Sequence, residues 1–182
     1  FNSLPQLLTK SQKKKHITQG YVLLCWHLLI FPGSLPPRIF SASERYEGYR
    51  EVCLERSIPE QTVDCDYDFD AGLAMTEELL EKYPHVDGII ACNDTVAIST
   101  YKVLHKRGIP VPKQIQLVGF DDIYLSSLIT PELTTIAQPI EAMAQKATEL
   151  IIHHIENHEK GAKFVFPVSL VIRETTKQKG RE

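Results

Sequence analysis

The sequence has four cysteines (Cys25, Cys53, Cys65 and Cys92) but no CxxC pair and no Cys/His run at metal-ligand spacing. That leaves a zinc ribbon or finger without ligands. Cys53 and Cys92 fall among apolar residues, which fits reduced, cytoplasmic thiols. There is no nucleophile elbow, P-loop, GxGxxG or HExxH, so the commonest hydrolase, nucleotide-binding and metalloprotease readings have nothing to rest on. An excess of one charge is lacking too. The net charge of −3 gives no reason to expect these residues to hold nucleic acid. No apolar run can span a membrane: Tyr21 to Phe31 (YVLLCWHLLIF) is about half the roughly 20 residues a spanning helix needs. Lys13, Lys14 and Lys15 precede that run as in a signal peptide, but Pro32-Gly33-Ser34 stands where a small-residue cleavage site would. A buried strand or helix is the better reading. Repeats and low-complexity linkers are absent, and a chain beginning with Phe rather than Met is expected to be a fragment.

What remains is an ordinary globular composition, 43% hydrophobic and 24% charged over 182 residues, enough for a sizeable core in one domain or two small ones. The most informative stretch is Val86 to Asp122. It holds two short apolar runs, Gly88 to Cys92 and Ile115 to Gly119. Each ends in a polar pair: Asn93-Asp94 after the first, Asp121-Asp122 just past Phe120 after the second. Between them Val96, Ala97, Thr100, Val103 and Leu104 recur at helical spacing, closed by Gly108, Pro110 and Pro112. This predicts a strand–helix–strand unit with parallel strands. Ligands of parallel sheets are met at the carboxyl ends of strands, where both polar pairs fall.

Around this unit the chain reads as further alternation. Leu4, Leu7 and Leu8 suit a short helix, Lys13 to Lys15 a solvated turn, and Tyr21 to Phe31 a buried strand ended by Pro32-Gly33. A Pro-rich loop, Gly33 to Phe40, leads to Ser41-Ala42-Ser43-Glu44, which has capping-box form and opens a helix to about Arg56 with Tyr46, Tyr49 and Cys53 on one face. Thr62 to Tyr67 predicts a short edge strand. Asp68 or Asp70 caps the next helix, which shows Leu73, Thr76, Leu79 and Leu80 on one side and stops at Pro84. Thr130 to Ile136 is a turn into a strand. Pro139 to about Asn157 carries a 3.6-period stripe of Ile140, Met143, Ala144, Ala147, Leu150, Ile151 and Ile155. Phe164 to Ile172 reads as a last, edge strand before a polar tail from Lys177. Strands alternating with helices predict an α/β fold with a mainly parallel sheet flanked by helices.

Three strand ends then carry polar loops: Ser34 to Arg45, Asn93-Asp94 and Asp121-Asp122. If they converge, the crevice holds a guanidinium, an amide and carboxylates, with Phe40, Tyr46 and Phe120 nearby, a set suited to sugar hydroxyls and the apolar face of a sugar ring. Adjacent aspartates on an extended segment point apart. A shared acid/base role for Asp121 and Asp122 is therefore disfavoured, and one is expected to accept from the ligand while the other caps a helix or turn. Asp94 is expected to cap the following helix, leaving Asn93 to face the crevice. Arg45 is either a ligand contact or a surface arginine. His153, His154 and His158 could suggest a metal, but no third ligand accompanies the one-turn pair His154 and His158, and a solvated helix end is the simpler reading.

The segments ERYEGYREVCLERSIP, VDGIIACNDTVAISTYKVLHKRGIPVP, IQLVGFDD, TPELTTIAQPIEAMAQKATELII and PVSLVIRETT, in this order, resemble the effector-binding region of the lactose/galactose-repressor family of bacterial transcription regulators. The resemblance covers roughly residues 33–176. It implies a periplasmic-binding-protein-like fold of two lobes around a cleft, of which this chain would hold mainly the second. It also implies that Arg45 (R-x-x-G-Y), Asn93 (N-D) and Asp121 (G-F-D-D) contact the effector; from the reading of the crevice, Asp122, Phe40, Tyr46 and Phe120 are expected in support. No metal or other cofactor is implied. Residues 1–32 are expected as a poorly matched remnant of the first lobe, 33–138 and 163–176 as the second lobe, and 139–162 as a segment that normally packs on the first. With little of that lobe present, the apolar stripe of 139–162 is expected to dock on residues 1–30 or on another chain.

The function implied is the effector-binding portion of a cytoplasmic repressor responding to a sugar or sugar phosphate. It would act as a homodimer, touch operator DNA only through a head missing from this chain, and have no membrane association or enzymatic activity. Two alternatives are a sugar-binding protein of a transport system and an enzyme using Asp121 or Asp122.

Overall fold

A computed structural model describes residues 21–25, 40–64, 68–157 and 163–177, with backbone alone at 21–25, 40–44, 64 and 157. The expectations for Leu4 to Leu8, Lys13 to Lys15, the Pro-rich loop up to Ile39, the Cys25 and Cys65 thiols, His158 and the tail beyond Lys177 lie outside the described residues, as does the Phe40 side chain.

A six-stranded sheet runs in the order β2-β1-β3-β4-β5-β6, built from β1 (Tyr21–Cys25), β2 (Thr62–Asp64), β3 (Gly88–Ala91), β4 (Gln116–Asp121), β5 (Thr134–Ala137) and β6 (Ser169–Val171). The first five are mutually parallel, and β6 is antiparallel to β5. The expected strand–helix–strand unit is present: β3 and β4 pair in parallel, with Ile89 opposite Leu117. All four residues of β3 are buried, as a central strand covered on both faces requires. β1 precedes residue 33 yet lies between β2 and β3, with Leu23 opposite both Thr62 and Ile90, so it belongs to the same sheet as the residues that follow.

Among the described residues there are four α-helices: α1 (Phe40–Arg56), α2 (Phe69–Lys82), α3 (Asp94–Lys106) and α4 (Ile140–Asn157). α1 is already helical at Phe40, so Ser41 lies within the helix instead of capping it. Its Tyr49, Val52 and Cys53 are buried. Asp68, not Asp70, caps α2 by accepting from the Ala71 amide at 2.8 Å. The face expected for α3 is the face it buries: Val96, Ala97, Thr100, Val103 and Leu104. α2 and α3 pack closely because Gly72 has no side chain, since a Cβ there would fall 2.0 Å from the Ser99 hydroxyl oxygen. Thr76 and Thr100 share a hydrogen bond of 3.0 Å across the same seam.

One strand departs from expectation, while the docking expected of α4 on residues 1–30 or on another chain lies outside the described residues. β6 is only Ser169–Val171, and it pairs with three of the four residues of β5. The apolar stripe of α4 is uncovered: Ile140, Met143, Ile151 and Ile155 are exposed, and Ile152 with them. Among the described residues, no helix is long and apolar enough to cross a membrane.

Candidate ligand-binding site

The sheet reverses its direction of growth at β1, since β2 is added on one side of it and β3 on the other. The crevice of an open parallel sheet lies at the carboxyl ends beside such a point. Arg45, on the first turns of α1, reaches across it. Its Nη1 donates to the Cys92 carbonyl at 2.6 Å, and its Nη2 stands 3.8 Å from Asp121 Oδ1. The guanidinium lies 3.7 Å from the centre of the Phe120 ring. Phe120 thus gives Arg45 a flat surface to stack on, which fixes the plane of its donors. Asp121 in turn accepts from Gln138 Nε2 at 2.6 Å. Burial pushes the Asp121 carboxyl above its usual range. The Arg45 charge and the Gln138 hydrogen bond oppose that rise, while nearby Asp94 adds to it.

The polar pair after β3 divides its labour the opposite way from the expected one. Asn93 is the cap: its Oδ1 accepts the Val96 amide at 2.8 Å, and the residue is 9% exposed. Asp94 is wholly buried in the first turn of α3. Its Oδ1 accepts from Thr135 Oγ1 at 2.5 Å, and its Oδ2 from Ser126 Oγ at 2.6 Å and the Ile123 amide at 2.9 Å. Both residue types cap well, so sequence gives no local ground for choosing. The choice is made by groups 29 to 41 residues away that converge on Asp94. Burial raises the Asp94 carboxyl, and the three hydrogen bonds hold it down in part.

Asp121 and Asp122 do point apart, but Asp122 caps nothing. It pairs with Arg173 Nη2 at 2.6 Å. Both aspartates have positive φ, 113° and 55°. Two successive non-glycine residues in that region cost on the order of 1–3 kcal/mol each, so other contacts must hold them there. Tyr46 is turned away from the cluster. Its hydroxyl donates to Glu60 at 2.7 Å, and that carboxylate raises the phenol to about 12. Of the residues singled out from sequence, then, Arg45, Phe120 and Asp121 form one cluster beside the Asn93 cap. Tyr46 is directed to Glu60, Asp122 to Arg173.

Gln138 and Arg173 were not foreseen. Gln138 follows β5 directly, so the strand-end rule that picks out Asn93 and Asp121 would have found it too. Arg173 has no such signal: it follows an antiparallel edge strand and acts through Asp122. Among the described residues, no group of three His, Cys, Asp or Glu could hold a metal ion.

Fixed donors and acceptors gathered at the carboxyl edge of a mainly parallel α/β sheet stand where open sheets of this kind meet small-molecule ligands. Residues 33–176 match the family described as a periplasmic binding protein-like domain, and the chain belongs to that family. It is 38% identical over 143 residues to the ribose operon repressor of Halalkalibacterium halodurans, covering 78% of this chain and 43% of that protein. Among solved structures, a CelR–cellobiose complex superposes with a TM-score of 0.77 at 25% identity, over 86% of this chain and 46% of that one. A LacI family regulator from Enterococcus faecium with bound ribose gives 0.73 at 28% identity, over 87% and 56%. The chain spans less than half the length of that curated relative. These relatives are transcriptional regulators, and two of the structures hold a sugar.

Proposed function

We propose that the chain is the effector-binding part of a sugar-responsive transcriptional repressor. It works in the cytoplasm as part of a homodimer, without turnover, and DNA contact comes from a head that these residues do not include. The observation that carries this reading is the assembly of Arg45, Phe120 and Asp121 beside the Asn93 cap at the sheet's reversal point. A carboxylate fixed between a guanidinium and a primary amide presents acceptor lone pairs next to planar donors. Vicinal sugar hydroxyls, each both donor and acceptor, satisfy that combination. Asn93, its side chain oriented by the cap, is the third ligand contact of this reading. Phe120 acts through Arg45, not on the ring of the ligand. Names among the relatives make ribose the first sugar to try.

The test is a thermal-shift series with ribose, other pentoses and hexoses, and their phosphates, on this chain and on Asp121→Ala. A ligand at 100 times its Kd stabilises by about 2.7 kcal/mol, a readily visible shift. A shift with one sugar, lost in Asp121→Ala, is the expected result. A shift that survives the substitution would remove Asp121 from the site, and none with any sugar would count against a self-sufficient site in this chain.

A further inference from the structure

We infer that Arg173, which touches neither Arg45 nor Asp121, is a positioning residue of this site, holding the turn after β4 in the conformation that presents Asp121. The inference deepens the proposed effector site and rests on it for its significance, though not for its test. The turn contains two successive positive-φ aspartates, and an unconstrained chain would relax them. Three contacts oppose that relaxation. The Asp122 amide donates to Thr135 Oγ1 at 3.3 Å, a long bond, and the Ile123 amide donates to Asp94. The Asp122 carboxylate takes the short 2.6 Å bond from Arg173.

Arg173 is itself rigidly held. Its Nη1 donates to the Leu133 carbonyl at 2.9 Å, its Nε lies 3.8 Å from Glu132, and its backbone amide donates to Thr134 Oγ1 at 2.9 Å. Its side chain is 16% exposed. A planar fork bound on two sides fixes an acceptor in direction as well as distance. With Asp122 held in one direction, the reversed backbone sends the neighbouring Asp121 carboxylate the other way, into Arg45 and Gln138. An arginine one strand beyond the site therefore sets the geometry of its principal acceptor.

The experiment follows the Asp121 carboxyl and the Gln138 side-chain amide by NMR in the full chain, comparing wild type with Arg173→Lys and Asp122→Asn. Lysine keeps the charge but not the fork, and asparagine keeps the shape but not the charge, so at least one variant should retain the fold. Expected are a displaced Gln138 amide resonance and an Asp121 titration midpoint moved toward the ordinary carboxylate value, both without ligand. Ribose titration of the same proteins is then expected to show affinity reduced by roughly tenfold. Folded variants with unchanged Asp121 titration and Gln138 resonance would overturn the inference. If the resonances move but wild type binds no ribose, the positioning role stands and the reading of this chain as a self-sufficient ribose site fails.

Discussion

Gly119→Ala tests how the site is supported from beneath. Gly119 sits in β4, and a Cβ there would lie 2.1 Å from Asp94 Oδ1 and 3.0 Å from Leu133 Cδ2. Asp94 is fully buried and cannot retreat without giving up Thr135. Overpacking costs about 1–3 kcal/mol, and a lost hydrogen bond to a charged group a further ~1.5–3 kcal/mol. Gly119→Ala should therefore destabilise by about 3–5 kcal/mol. Asp94→Ala strands the Ser126 and Thr135 hydroxyls and the Ile123 amide. The hydroxyls can turn to other acceptors and the amide cannot, so the cost is about 3–4 kcal/mol. In the double variant, the methyl group introduced at position 119 occupies the space the carboxylate has left. That variant should then cost about as much as Asp94→Ala alone, a coupling equal to the whole cost of Gly119→Ala, about 3–5 kcal/mol. Urea unfolding followed by far-UV circular dichroism measures all four corners of the cycle. Additivity within about 0.5 kcal/mol would refute the geometry argued here.

Three further outcomes follow from burial and charge. Because the folded Asp94 carboxyl titrates above its ordinary 3.8, the native state holds more protons than the unfolded chain between 3.8 and the raised value. The stability that Asp94 contributes is then fully present below 3.8 and is lost as pH rises through the folded value. Urea midpoints of wild type should gain on those of Asp94→Asn as pH falls from neutral toward 3.8, and a constant difference would contradict the raised carboxyl. Leu104→Ala, in a site with no exposure, should cost about 3 kcal/mol. Ile151→Ala, at 60% exposure on α4, should stay within about 0.5 kcal/mol in the isolated chain, and a larger loss by chemical denaturation would mean that this face is covered in solution.

How much of this was legible depended on the range of the forces involved. β3, α3 and β4 were readable because their punctuation is local: Gly88 and Asn93 bound a buried strand, and Gly108 and two prolines close the helix. The apolar run at Tyr21–Cys25 was recognisable as a strand, but its place between β2 and β3 was not, because strand order is decided by crossovers. Arg45 and Tyr46 differ by one residue, about 100° around a helix, so one faces Asp121 and the other Glu60. The cap at Asn93 and the burial of Asp94 turn on Ser126 and Thr135, far along the chain. Exposure of the α4 stripe could not be read from periodicity, which reports which face is apolar and not what meets it.

The short strands at the two margins of the sheet have a consequence for assembly. The outer strands, β2 and β6, contribute three residues each, and β6 runs against its neighbour. Such stubs offer a foreign strand few main-chain groups to pair with, a device that guards against edge-to-edge polymerisation. Among the described residues, neither margin offers a long strand for the sheet to grow on. Edges of this kind favour association through helices and loops, where side-chain shape rather than the generic backbone decides what fits.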